Sequence, residues 1–414
     1  MNEPSSSQSL FDLPNAPKFE RFTALPKFDG VPALVLDVPE SIPALGYGSH
    51  QFFRYYGKFP SLVGREIISA FSDADMGVLD NYSGSGTTQV EAQIAGRDSY
   101  GIDINPLAVL ASNVKTAYQD ARKLDAAFDL VCRSAAAIAP YEIQATPSDR
   151  LRKWFSEESL QGLGRIRAAI DELEPGDEQD FLTVCFLAIV RRCSNAHDGE
   201  VRPHVKLEKK PRPPATAFRE KYLDMVDGLR ELDTMRPKSI KSKTVIGDNR
   251  TPKAYAELLT EPVGLVVSHP PYLNSFNYFN AFSLEIMWSE GMTNVWQGWT
   301  LRDVTGLEQK AHPATNGRLV ESYYRSISEA SAQAFEVLRP GGTLALVVGD
   351  ATIHGRLEAV HRNVWDSLKT SGWRPEAVWF RTTHYGIGKY AYAHRADYHG
   401  EAEKKDAIMF LRKP

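Results

Sequence analysis

The chain has 414 residues, 43% of them hydrophobic and 24% charged, and a formal net charge of −4. That length and composition suit a globular protein with one large core or two domains, and the slightly acidic balance means that any polyanionic partner must meet a local basic surface. No run of about 18 apolar residues argues for a membrane span, no basic-then-apolar leader opens the chain, and three cysteines at no metal-like spacing (Cys132, Cys185, Cys193) suit a reducing cytoplasm.

Residues 1–47 carry Ser5-Ser6-Ser7 and prolines 14, 17, 26, 32, 39 and 43 without a sustained hydrophobic period. They read as a partly disordered arm lying over the rest rather than as a folded unit. The aromatic and basic stretch over 50–60 follows, with Lys58 and Phe59 near its end, then an amphipathic helix near 61–72. Such a stretch suits either a core cap or a pocket wall for a flat ligand. Gly77-Val78-Leu79-Asp80 reads as a strand, Asn81-Tyr82-Ser83-Gly84-Ser85-Gly86-Thr87-Thr88 as a glycine turn entering a helix, and Ser99 to Asp103 as a second strand ending in an acid. Strand, Gly-x-Gly turn, helix, strand and acid form a nucleotide-binding βαβ pattern: the glycines admit a ligand to the backbone, and Asp103 can accept from two ribose hydroxyls.

Residues 115–240 read as mainly helical, with amphipathic spacing over 121–138, 151–174, 178–193 and 216–233. Between the last two lies a proline-rich basic loop, 191–214, bearing Arg202, Lys206, Lys209, Lys210 and Arg212. A solvated charge run is its ordinary explanation and a phosphate-contacting loop its sharper one. The sheet resumes with Thr244 to Asp248, whose terminal acid is placed to touch a bound nucleoside. Leu265-Val266-Val267 then reads as a buried strand that breaks at Ser268-His269-Pro270-Pro271-Tyr272. Two prolines hold the exit from that strand rigid and extended, the kind of corner at which an open α/β sheet places its ligand. Trp288, Trp296 and Trp299 read as core. A helix near 321–337 leads to Leu338-Arg339-Pro340-Gly341-Gly342 and another buried strand, and a helix at 357–370 precedes strands near 375–381 and 406–412. The long tip between those last strands interleaves aromatic and basic residues, Lys389 and Arg395 among them, which suits nucleic-acid contact. Its histidines at 384, 394 and 399 are spaced irregularly, without patterned acid or thiol partners, and no metal site is expected.

These motifs resemble those of the S-adenosylmethionine-dependent DNA amino-methyltransferases, which act on cytosine N4 or adenine N6, and the resemblance spans most of residues 48–412. The 80–88 turn is similar to the family's Asp-Pro-Phe-x-Gly-Ser-Gly-Thr cofactor loop, with Asn81-Tyr82 in place of Pro-Phe. Ser268 to Tyr272 resembles its catalytic Pro-Pro-Tyr loop, with His269 where Asp, Asn or Ser is usual. The resemblance implies a Rossmann-like class I methyltransferase fold: a mostly parallel seven-stranded sheet with a C-terminal antiparallel hairpin. It implies a cofactor-binding half at 48–114, a helical target-recognition insert at 115–240 and a catalytic half at 241–414. Lys58, Phe59, Asp80, Tyr82, Gly84, Ser85, Gly86, Thr87, Asp103, Ile104 and Asp248 would hold S-adenosylmethionine. His269 and the Pro270 carbonyl would accept hydrogen bonds from the target amine, with Pro271 stiffening the loop and Tyr272 stacking on a flipped base. Arg202, Lys206, Lys209, Lys210, Arg212, Lys389 and Arg395 would contact double-stranded DNA, with a cognate restriction endonuclease as a further partner.

Only neutral imidazole can accept, so activity is expected to fall below about pH 6. The Lys58-Phe59-Pro60 segment resembles cytosine-N4 members more than adenine-N6 members. Two other readings compete: an RNA guanine-amine methyltransferase, and a nucleic-acid or cofactor binder whose active site has been retired.

Overall fold

The computed structural model describes residues 22–38, 44–58, 60–139, 152–206, 208–273, 277–311, 318–353, 356–382 and 406–414. Eleven strands lie among them: β1 (Phe22–Phe28), β2 (Val31–Asp37), β3 (Val78–Asp80), β4 (Ser99–Asp103), β5 (Ser242–Ile246), β6 (Val263–Ser268), β7 (Leu338–Gly349), β8 (Ala351–Ile353), β9 (Arg356–Glu358), β10 (Arg374–Thr382) and β11 (Asp406–Arg412). Nine form one sheet in the order β1-β2-β10-β11-β7-β6-β3-β4-β5, and β8 pairs with β9.

The stretch from β5 to β10 holds seven of the nine strands, parallel apart from β11, which runs antiparallel to both of its neighbours. This is the strand order of the Rossmann-like class I methyltransferase fold. The sheet is nine-stranded rather than seven-stranded because β1 and β2, within the expected N-terminal arm, continue it: β2 pairs in parallel with β10, from Val378↔Ala33 to Thr382↔Asp37. The hairpin turns on two residues of positive φ, Asp29 (48°) and Gly30 (84°), between the partners Phe28 and Val31. Asp-Gly is the sequence such a tight turn favours. Pro26, which cannot serve a sheet interior, lies in the edge strand where the β1–β2 register shifts.

β6 is buried along its whole length, as its unbroken Val-Gly-Leu-Val-Val-Ser run requires of a central parallel strand covered on both faces. Leu338 pairs with Val263 and Thr343 with Leu265, so the Arg339–Gly342 turn bulges from the start of β7. One apolar core lies on each face of the sheet, and a third lies in the helical insert.

The four amphipathic segments form the helices Ala121–Ala137, Glu157–Asp171, Asp177–Val190 and Pro214–Met235. Their core is shared with Phe52, Phe53 and Tyr56 before the helix Ser61–Phe71 and with Phe279 to Val304 after β6, including buried Trp288 and Trp296. The insert is therefore packed against the segments on either side of the β3–β6 part of the sheet. Among the described residues no helix is long and apolar enough to cross a membrane, and no cluster of three His, Cys, Asp or Glu side chains could hold a metal.

The chain runs outward from β3 to β4 and β5, then returns to the other side of β3 as β6. β3 and β6 thus flank the point where the winding reverses, and an open α/β sheet binds ligands at the carboxyl ends of such strands.

Candidate active site

The glycine turn leaves β3 at Asp80 and enters the helix Thr87–Ile94 at Gly86. Gly86 has φ of 83°, and a Cβ there would lie 2.5 Å from the Ser112 hydroxyl oxygen and 2.9 Å from its Cα. A side chain would be strained by the backbone and blocked by the neighbouring helix. Gly84, with φ of 47°, lies beneath the Tyr55 ring, 3.2 Å from where its Cβ would be. The turn is tied to the acid ending β4: Gly84 N–H donates to Asp103 Oδ2 (2.8 Å) and Asn105 N–H to Oδ1 (2.8 Å). Burial, against the amides of Asn105, Gly84 and Ile104, pushes the Asp103 carboxyl up to about 6. Asp80 accepts from Tyr82 N–H (3.0 Å) and the Thr88 hydroxyl, and burial raises it to about 7.

Asn81, the first departure from the family pattern, joins the two corners. Its amide nitrogen donates to Tyr255 (3.2 Å), its amide oxygen accepts from the Ser268 hydroxyl, and its backbone N–H donates to Val267 O (3.3 Å). The end of β3 is thereby sewn to the end of β6, a task proline could not perform.

The β6 corner faces the β3 corner across a cavity of about 470 Å³, within the range of small-molecule sites, roughly 300–1,000 Å³. Its walls bring together Lys58, Asp80, Tyr82, Gly84, Ser85, Thr87, Asp103, Ile104, Asp248, His269, Pro270 and Pro271 from the expected set. Arg202 joins them from the basic loop. Gly86 shapes the turn from behind.

Tyr272 is placed otherwise than expected. It does not line the cavity: its ring packs where a Gly349 side chain would be, 2.5 Å from the position of that Cβ, and meets His269 edge-on at 5.4 Å. Asp248 reaches the cavity, but its carboxylate is held bidentately by Arg250 (2.8 Å to each oxygen). His269 is only half-buried by surface, because its ring looks into the cavity, yet desolvation and then the nearby Arg381 push its imidazole down to about 3. This corrects the expected acid limb near pH 6, since His269 stays neutral well below it.

The basic loop divides in two. Lys209 turns inward, its ammonium donating to Arg191 O (2.8 Å), Ala196 O (2.7 Å) and Asp198 (2.7 Å). Three acceptors occupy its three donors, so Lys209 fastens the loop and has none left for DNA. Arg202, Lys206, Lys210 and Arg212 are exposed, with Arg212 paired to Glu220. Phe59, Lys389 and Arg395, with the three tip histidines, lie outside the described residues.

Several wall residues had escaped the sequence reading. Tyr278 stacks on Tyr55 at 5.7 Å, Tyr323 and Ile327 come from the helix Arg318–Val337, and Glu308 from Leu301–Ala311. Burial raises Glu308 to about 7 despite a bond from Asn277 (3.0 Å). Nothing in the residue types or spacing around Tyr278, Glu308, Tyr323 and Ile327 sets them apart from ordinary helix positions.

A DNA methylase family model, of the N6/N4 methyltransferases, matches residues 40–113. The Type II methyltransferase M.MvaI of Kocuria varians is 30% identical over 213 residues, covering 48% of this chain and 46% of the relative. M.MjaII of Methanocaldococcus jannaschii, also a Type II methyltransferase, is 40% identical over 76 residues, covering 18% of this chain and 14% of that one. The matches thus span less than half of either relative. Among solved structures, TrmN from Thermus thermophilus aligns over 87% of this chain and 50% of its own, with 11% identity and a TM-score of 0.33. An rRNA methylase from Streptococcus thermophilus aligns over 86% and 98%, with 10% identity and a TM-score of 0.32. The family's cofactor is S-adenosylmethionine, and a glycine turn with no room for a side chain at Gly86, tied to the acid that ends the next strand, fits a nucleoside ligand. Over these matched stretches the chain is similar to the N4/N6 amino-methyltransferases.

Proposed function

We propose that the protein methylates an exocyclic amine of a base flipped out of double-stranded DNA, cytosine N4 in preference to adenine N6. The observation that carries this reading is that His269 and Pro270 open on the same cavity as the glycine turn and Asp103. S-adenosylmethionine supplies the methyl group when bound.

The chain's own contribution is to hold acceptors still. An amine conjugated to a base ring is a poor nucleophile until its protons are engaged and its lone pair localises. His269, kept neutral by burial, and the Pro270 carbonyl accept those protons. Pro271 fixes the direction of the Pro270 carbonyl, and Tyr272 steadies the imidazole from the side away from the cavity. Asp103 receives the ribose hydroxyls. Arg202 at the cavity wall, with Lys206 and Lys210 on the same loop, meets the phosphates flanking the flipped base. The preference for cytosine rests on the likeness of the 58–60 segment to cytosine-N4 members; a cognate restriction endonuclease remains part of the proposal through the Type II relatives.

The test is methyl transfer from labelled S-adenosylmethionine to unmethylated DNA, followed by digestion to nucleosides and mass identification. N4-methylcytosine is the expected product. N6-methyladenine would correct the base, and label entering RNA but not DNA would overturn the substrate.

A further inference from the structure

Lys115, on the helix Pro106–Thr116, has no solvent exposure. Its ammonium lies directly beneath the cofactor turn, donating to the Ser85 carbonyl (2.7 Å) and the Ser85 hydroxyl (2.9 Å). Both partners are neutral. Its charged neighbours Lys58 and Lys221 are cations, and burial together with them holds Lys115 well below the usual lysine range. A wholly buried ammonium is costly, so burial favours the neutral amine until an anion is bound nearby, and a bound carboxylate favours the charged form.

The nearby acid is already engaged. Glu91 Oε1 receives Tyr47 and His50 Nε2 (2.8 Å), and Oε2 receives Arg65 (3.0 Å). Lys58, half-buried, donates to His50 O (2.6 Å) and lines the cavity together with Ser85. The helix Thr87–Ile94 also begins here, and its N-cap Gly86 offers no side-chain acceptor to the first amides, which adds positive potential to the same spot. The cavity wall therefore carries a cation at Lys58, with Lys115 behind Ser85, and an acid at Asp103.

We infer that Lys115, acting through Ser85, is a positioning residue that supplies the buried counter-charge for a ligand carboxylate seated beside Lys58, and so fixes the amino-acid end of the cofactor. The inference rests on the cofactor reading above. S-Adenosylmethionine has one carboxylate, at the end opposite its base. Anchoring that end while Asp103 holds the ribose sets how far the sulfonium stands from His269. No bond is made or broken by Lys115.

The test compares S-adenosylmethionine with its decarboxylated analogue, which keeps the sulfonium, ammonium and nucleoside and lacks only the carboxylate. Affinities are measured by calorimetry on the full chain. The wild type is expected to prefer S-adenosylmethionine by roughly 10- to 100-fold, the range of a charge-assisted hydrogen bond. Lys115→Met should reduce that preference to within about threefold while leaving the analogue's affinity unchanged. Ser85→Ala, which leaves the lysine in place and removes the relaying hydroxyl, should remove part of it, so the inference stays testable even where Lys115→Met does not fold. Equal losses for both ligands in Lys115→Met would make the lysine a mere support for the turn and overturn the inference, as would an undiminished preference in Ser85→Ala. Failure of the wild type to bind either ligand would overturn the cofactor reading, and the inference with it; binding of both without preference would overturn the inference alone.

Discussion

The corner after β3 and the corner after β6 share one cavity and one cause of altered acidity, with opposite results. Burial pushes Asp80 up to about 7 at the first and Asp103, the end of β4 tied to it, up to about 6, and His269 down to about 3 at the second. Desolvation favours the neutral form of each group. For the carboxylates that form is the wrong one, because a protonated acid loses acceptor capacity; for the histidine it is the right one. The cofactor corner is thus the pH-sensitive side of the site, and the corner proposed to act on the amine is not.

Mutation at one corner should leave the other intact. Asp103→Asn is expected to weaken S-adenosylhomocysteine binding roughly 10- to 100-fold, because its amide nitrogen would face the Gly84 or Asn105 N–H, while turnover at saturating cofactor stays within about twofold. Titration calorimetry and single-turnover kinetics separate the two effects. A matching loss of saturated turnover would join the corners into one unit.

A smaller effect is expected with pH. Asp103 has a raised folded value, so it gains its proton as pH falls through about 6, and cofactor affinity should decline there. His269 has a depressed value, so single-turnover rates at saturating cofactor should stay flat from about pH 8 to about pH 5. A saturated rate that halves near the ordinary histidine value, about 6.5, would break the contrast.

The basic loop extends the comparison to the surface. Arg202→Ala should weaken DNA binding and lower the slope of log affinity against log salt by about 1. Lys209→Met should leave that slope alone and lower thermal stability instead, since it removes the ammonium donor from the Arg191 and Ala196 carbonyls and from Asp198. An altered slope in Lys209→Met would return that residue to the interface. Smallest is Asn81→Ala, which removes partners from the Ser268 and Tyr255 hydroxyls and should cost about 1–3 kcal/mol of stability in denaturant unfolding.

Much of this was legible before the fold was seen, for physical reasons. The β3 and β6 corners are local: a glycine turn, a spaced acid and a double proline each constrain their own backbone, so the sequence displays them directly. The central strands β6 and β7 are legible because strands buried on both faces are continuous apolar runs. The β1–β2 hairpin was hidden by Pro26 and Pro32, although Asp29-Gly30 marked its turn. Lys209 and Tyr272 were misplaced because residue type gives chemistry and not direction. A lysine in a basic run has the same letter whether it faces solvent or three acceptors. The depression of His269 was out of reach for a related reason, as it depends on burial and on Arg381, which is 112 positions away in sequence.

The claim on which the account turns is that neutral His269 engages the reacting amine. Single-turnover methyl transfer to DNA should be compared between wild type and His269→Ala, both saturated with S-adenosylmethionine and with nucleosides identified by mass. The account expects label on an exocyclic amine in the wild type and a rate lower by roughly 100- to 1,000-fold in the variant, the cost of losing one preorganised hydrogen-bonding group. Equal rates in the two proteins would contradict it.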